Sequence, residues 1–177
     1  EVGTKITLHL AEDETKFCNE WEARRIIEKY CSFMPVEIYL NYEQEKDRLT
    51  KDYEEKKEKA KEDEEVTLEL PKPINDPKPL WTKHPNDCTE EEYKEFYRHV
   101  FHDYREPLFW IHLNMDYPFN LKGILYFPKI NIEYESVEGT IKLYNNQVFI
   151  ADNIKEVIPE YLLLLKGVID CPDLPLN

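Results

Sequence analysis

With 177 residues and a formal net charge of −14, the chain holds one domain, or one plus part of another. A charge of that sign excludes a general nucleic-acid binder, because phosphate is repelled unless a basic patch is set apart, and the sequence contains none. Hydrophobic residues at 41% supply a core beneath an unusually charged surface of 34% Asp, Glu, Lys and Arg, and the longest apolar stretch, YLLLLKGVI, is broken by Lys166 and too short to span a bilayer.

No signal-peptide pattern is present. Cys18, Cys31, Cys88 and Cys171 are scattered without Cys-x-x-Cys spacing, which reads as reduced thiols of a cytosolic protein, with disulfides as the alternative.

KITLHL alternates Ile6, Leu8 and Leu10 against polar neighbours, the period of a half-buried strand. A helical period follows over 12–34, with acids crowding its start, Arg24, Arg25 and Lys29 later, and Met34-Pro35 ending it. Val36, Ile38 and Leu40 then return to strand spacing. Residues 43–65 are dominated by charge and bury too little to fold alone, so they read as a solvated linker at a domain boundary, with a solvated helix as the alternative. VTLEL at 66–70 alternates again and is expected to pair with VEIYL across the linker. PKPINDPKP supplies four prolines, a stiff extended approach to a second domain opening at Leu80-Trp81.

Within that domain the spacing predicts a helix after Thr89. Thr89 and Glu92 form a capping box, and Tyr93, Phe96, Tyr97 and Val100 make the buried stripe. LFWIHLNMD, with Phe109, Ile111, Leu113 and Met115 on its apolar face, and LKGILYF read as two antiparallel strands. TIKLYNNQVFI reads as a strand pair or one bent strand with Asn145-Asn146 as its weak point. A helix over 154–167, capped by Asp152 or Asn153, and a short strand VID complete an α/β pattern. The ends are unusual. The last residues are apolar and proline-rich, and the first lack a Met and enter a strand pattern within five residues, so a fragment lacking both flanks is expected.

The chemistry is sparse. His99 and His102 stand three apart with Cys88 nearby, a spacing metal ligands use, but His84 and His112 lie in other elements and no second ligand pair matches, so no metal site is expected. No nucleophile elbow or glycine-rich phosphate loop is present. Cys18 reads as packed rather than nucleophilic. Trp81 is either a core plug or an aromatic contact exposed at a domain edge. Residue chemistry alone supports no catalytic residues.

Four stretches, GTKITLHL with EWEARRIIEKYCSFMPVEIYL, KPLWTKHPNDCTEEEYKEFYRHVFHDYREPLFWIHLNMDYPFNLKGILYFP and IKLYNNQVFIADNIKEVIPEYLLLLKGVIDCPDLPLN, resemble in order the ninety-kilodalton heat-shock chaperones, most closely their bacterial form. The resemblance implies an α/β fold in which a strand–helix–strand remnant of the nucleotide-binding domain (1–42) precedes a charged linker (43–65), a strand and proline-rich approach (66–79) and the mixed-sheet first part of the middle domain (80–177). It implies that the family's chain runs on past Asn177 to an arginine that reaches the nucleotide's terminal phosphate. Gly3 and Thr4 match a Gly-Thr pair at the floor of the family's ATP pocket.

For the parent protein the resemblance implies a cytoplasmic, stress-responsive chaperone. It would use ATP with magnesium, close as a homodimer and hold client proteins, with co-chaperones among its partners. This chain, with neither half of the ATPase complete, is expected to be inert toward ATP and to bind no cofactor, nucleic acid or membrane. Trp81 is a candidate client contact. The alternative is a non-catalytic adaptor whose acidic linker joins two interaction modules. The strand-patterned N-terminal segment, deprived of sheet partners, is expected to be swapped, paired between chains or disordered.

Overall fold

The computed structural model describes residues 3–59, 67–129, 139–152 and 164–173. The chain forms two compact units that interleave along the sequence: Glu1–Lys29 with Ile38–Ile74, and Tyr30–Glu37 with Asn75–Asn177.

In the first unit a 3-10 helix, Glu12–Cys18, is followed by α1, Glu20–Tyr30, and by α2, Tyr42–Lys59. The single helix expected over 12–34 is therefore divided. Its break is Asn19, whose Oδ1 accepts the Trp21 N–H at 2.9 Å, the bond an N-cap residue makes with the second residue of its helix. α2 occupies most of the segment read as linker, and the solvated-helix alternative is the one that forms. Along it Arg48 lies 3.7 Å from Glu45 at i,i+3 spacing, and Thr50 Oγ1 donates to Lys46 O at 2.8 Å.

None of the strands expected over 5–10, 36–40 and 67–70 forms. Ile6 and Leu8 are 79% and 80% exposed. Alternation says which face a strand would bury, but the strand itself needs a neighbouring edge for its backbone groups. No described residue of this unit supplies that edge. The expected pairing of VTLEL with VEIYL is likewise not seen among the described residues; the backbone bond that reaches VEIYL comes instead from Ile74, whose N–H donates to Ile38 O at 2.8 Å.

The second unit is built on α3, Glu90–Phe101. Thr89 N–H donates to Glu92 Oε2 at 2.8 Å and Glu92 N–H to Thr89 Oγ1 at 3.3 Å, closing the capping box. His102, in the left-handed region at φ 50°, ends the helix. The stripe of Tyr93, Phe96, Tyr97 and Val100 is buried as the spacing predicts.

Among the described residues five strands follow: β1 Phe109–Met115, β2 Leu121–Phe127, β3 Thr140–Asn145, β4 Val148–Asp152 and β5 Lys166–Asp170. Their order is β1-β2-β5-β3-β4, with β5 antiparallel to β2 and parallel to β3. The fold is thus α/β with a mixed sheet. Asn146 and Gln147, at φ 50° and 66°, make the tight turn between β3 and β4, so TIKLYNNQVFI is a strand pair. The helix expected over 154–167 falls largely outside the described residues, but Lys166 and Gly167 belong to β5, which begins two residues before the expected VID. β5 lies so close to β2 that a Cβ added at Gly123 would stand 2.2 Å from Val168 O. Only glycine fits there.

Aromatic rings fill the α3 side of the sheet. Trp81, Phe96, Tyr97, Ile124, Tyr126 and Val168 share one cluster with Phe33, while Leu125, Ile141 and Leu165 form a smaller one. β1 alternates as expected, but its Trp110 and His112, rather than Phe109, Ile111, Leu113 and Met115, meet the main core, and of that face Leu113 packs on the smaller cluster. Trp110 stacks on Tyr93 with ring centres 5.0 Å apart, and the other three stay substantially exposed.

Candidate functional site

Trp81 is only 1% exposed. Its ring sits 4.6 Å from Phe33 and 5.3 Å from Tyr144, centre to centre, and its Nε1–H donates to Asp170 Oδ2 at 3.2 Å. The same carboxylate oxygen accepts Gln147 N–H at 3.0 Å. Of the two readings the core plug holds, and a buried indole offers a client no surface, which corrects Trp81 as a client contact. The physical reason is local. The 3-10 turn Leu80–Thr82, entered from Pro79, turns the indole under α3, and Asp170 satisfies its one polar atom.

The loop after α3 is tied down by Asp103. Its carboxylate accepts Tyr97 OH (3.0 Å), Lys166 Nζ (2.6 Å), and Arg105 through Nε (3.0 Å), Nη2 (3.2 Å) and the backbone N–H (3.1 Å). Burial would raise this carboxyl, but the hydrogen bonds from Arg105, Lys166 and Tyr97 outweigh it and hold it well below the usual carboxylate range. Next to it Tyr104 points into solvent, 84% exposed, and beyond β1 Tyr117 is 88% exposed. Leu108, Phe109, Ile111 and Phe119 are also open to solvent.

His112 bridges β1 to α3 and to the Trp81 turn. Tyr93 OH lies 2.7 Å from its Nδ1, and its Nε2 lies 3.4 Å from Trp81 O. Burial lowers its proton affinity and nearby His84 adds to this, while the Trp81 carbonyl opposes it. A neutral ring that accepts from Tyr93 and donates to Trp81 O suits this arrangement.

Gly3 and Thr4 are exposed and outside regular structure. His99 projects from α3 whereas His102 has already left helical geometry, so the two do not share a helix turn. Among the described residues no three His, Cys, Asp or Glu side chains converge as metal ligands would. All four cysteines are free thiols, and Cys18, expected to be packed, is exposed because the 3-10 helix that carries it buries nothing. Sequence reasoning missed Phe33, Asp103 and Asp170. The last two carried a signal, an acid set in apolar surroundings (VFHDY and GVIDC), which folding tolerates only where donors converge.

The Hsp90 protein family model matches residues 16–177. This chain belongs to the Hsp90 family. It is 42% identical over 175 residues to the chaperone protein HtpG of Bacteroides fragilis, covering 99% of this chain and 24% of that protein. To HtpG of Porphyromonas gingivalis it is 44% identical over 176 residues, with the same coverages of 99% and 24%. It thus spans about a quarter of the length of the curated Hsp90 relatives it matches. Among solved structures, the middle domain of a Plasmodium falciparum heat shock protein overlays 54% of this chain and 40% of its own, at 33% identity and a TM-score of 0.48. No described helix of this Hsp90 chain is long and apolar enough to cross a membrane.

Proposed function

We propose that the chain is part of an ATP-dependent chaperone and that its second unit contacts partly folded client polypeptides. Family membership supports the chaperone reading. The observation that carries the client contact is the exposure of Tyr104 and Tyr117 at the two ends of β1, with Phe109 and Ile111 open between them. Large rings left in water on a unit that buries so many others mark an interaction surface. The contact so placed replaces Trp81.

On this reading residues 1–42 end the nucleotide-binding domain, 43–65 link, 66–79 form the approach, and 80–177 begin the middle domain. The intact protein would be a cytoplasmic homodimer using ATP with magnesium, with co-chaperones among its partners. Gly3 and Thr4 would contribute to its adenine contacts. A Cβ added at Gly3 meets nothing within 4 Å, so these two residues alone enclose no ligand, and no step of ATP chemistry is assigned to this chain. Association between copies through residues 5–10 belongs to the same reading, because among the described residues their apolar face lacks a sheet partner.

Aggregation of a heat-denatured client, followed by light scattering, tests the client contact. An equimolar amount of the chain suppresses scattering, and the Tyr104→Ser/Tyr117→Ser double variant suppresses it much less. Scattering unaffected by the chain would overturn the reading. Titration calorimetry with ATP tests the domain assignment. No binding is expected at micromolar concentrations, and micromolar affinity would show the assignment to be wrong.

A further inference from the structure

β1 pairs with β2 on one side and, among the described residues, has no strand on the other. Folded proteins usually blunt such an edge with lysine, proline or an inward charge. β1, FWIHLNM, has none of these and no charged residue of either sign. Every second residue of an edge strand turns its N–H and C=O to the open side, so β1 presents a row of backbone groups with nothing built in to repel a newcomer.

The side chains add a pattern. Phe109, Ile111, Leu113 and Met115 project to one face at two-residue spacing; Leu113 packs on the smaller core cluster, while the other three remain exposed. Phe109 stacks on Phe127 of β2 with ring centres 4.0 Å apart, so that end of the row is already fixed in place. An added strand with apolar residues at alternate positions would lay them beside this row. Charge narrows the partner further. Asp116 follows β1 and the chain carries −14, whereas Glu106 before the strand is paired with Lys94 at 3.4 Å. A second copy would bring two strongly acidic chains together. A client segment with Lys, Arg or Thr between its apolar residues meets no such repulsion.

We infer that the open edge of β1 captures an extended segment of a client polypeptide, apolar at alternate positions and basic or neutral between them, by adding it to the sheet as a further strand. The inference rests on the client-contact reading above and supplies its mode and sequence preference.

The test uses the 177-residue chain and a fluorescein-labelled peptide alternating Val or Phe with Lys or Thr, read by fluorescence anisotropy. Two further peptides of the same sequence carry N-methyl groups on alternate backbone nitrogens, one set for each hydrogen-bonding edge of the strand. Strand addition predicts that one N-methylated peptide binds about ten-fold or more weakly, through lost backbone hydrogen bonds, and that the other keeps most of its affinity. Ile111→Lys weakens the unmodified peptide comparably without changing the circular dichroism spectrum. Amide exchange of β1 slows when peptide is bound.

Equal binding of all three peptides would overturn strand addition while leaving client contact through side chains intact. No binding of any peptide, together with no suppression of aggregation, would remove both. Self-association abolished by Ile111→Lys, with peptide binding unchanged, would assign the edge to a second copy and overturn the inference.

Discussion

Phe33→Ala tests the least expected feature of the fold, the inclusion of residues 30–37 in the second unit. Phe33 is 4% exposed, and its ring lies 4.6, 6.0 and 5.5 Å from those of Trp81, Phe96 and Tyr144. The surrounding backbone is tied in as well. Gln147 Nε2 donates to Phe33 O at 2.9 Å, Asn75 Nδ2 to Met34 O at 2.9 Å and Val36 O at 2.7 Å, and Asp76 N–H to Ser32 O at 2.8 Å. Those bonds keep the segment in place, so the truncated side chain leaves a cavity that the site cannot close by moving away. Truncating a buried Phe of this kind costs about 3–5 kcal/mol. With a urea m-value of roughly 2 kcal/mol per molar, the midpoint falls by roughly 2 M. The assay is urea unfolding followed by tryptophan fluorescence, which reports Trp81 in the same cluster. A midpoint shift equivalent to less than about 1 kcal/mol would refute the placement, since surface substitutions lie in that range. A companion measurement uses limited proteolysis inside α2. Because 30–37 pack with 75–177, the pieces should co-elute under native conditions and separate in denaturant.

Three further predictions follow from buried groups. Asp103→Asn leaves Lys166 and Arg105 facing a neutral amide and should destabilise the second unit by about 3 kcal/mol or more. The folded Asp103 carboxyl is depressed, so its stabilisation is present above the unfolded value near 4 and is lost as pH falls toward the folded one. Urea midpoints measured across that window should flatten in the variant. His112 is also depressed in the fold. Being a base, it takes up its proton more readily when unfolded, so stability is full above roughly pH 6.5 and declines below it. Thermal melts at pH 7.5 and 5.5 should differ less in His112→Phe than in the wild type, and an unchanged difference would count against the Tyr93–His112–Trp81 link. Gly123→Ala forces β2 and β5 apart against Val168 O and should cost about 3 kcal/mol or more. A near-native melt would contradict the close approach of these strands.

Much of the second unit was legible locally. The Thr89–Glu92 box, the α3 stripe and the β1–β2 pair depend on groups within a few residues of one another, and their geometry leaves few alternatives. The exposed surface was partly hidden. Apolar spacing in FWIHLNM marked two faces correctly but not which one the core would take. That choice went to Trp110 and His112 because Tyr93, in the first turn of α3, offers a ring to stack on and a hydroxyl to bond. Trp81 was ambiguous for the same reason, because the residues that bury it, Phe33, Tyr144 and Asp170, come from three distant segments.

The amino-acid sequence by itself determined the capped helix, the alternating strands of the sheet and membership of the Hsp90 family, because periodicity, capping chemistry and residue identity all act at short range. Tertiary structure alone decided that β5 runs centrally between β2 and β3, that Phe33 joins a core far along the chain, and that KITLHL forms no strand. Each of those outcomes depends on whether a distant backbone edge or ring arrives to satisfy a group, and no local pattern encodes that arrival.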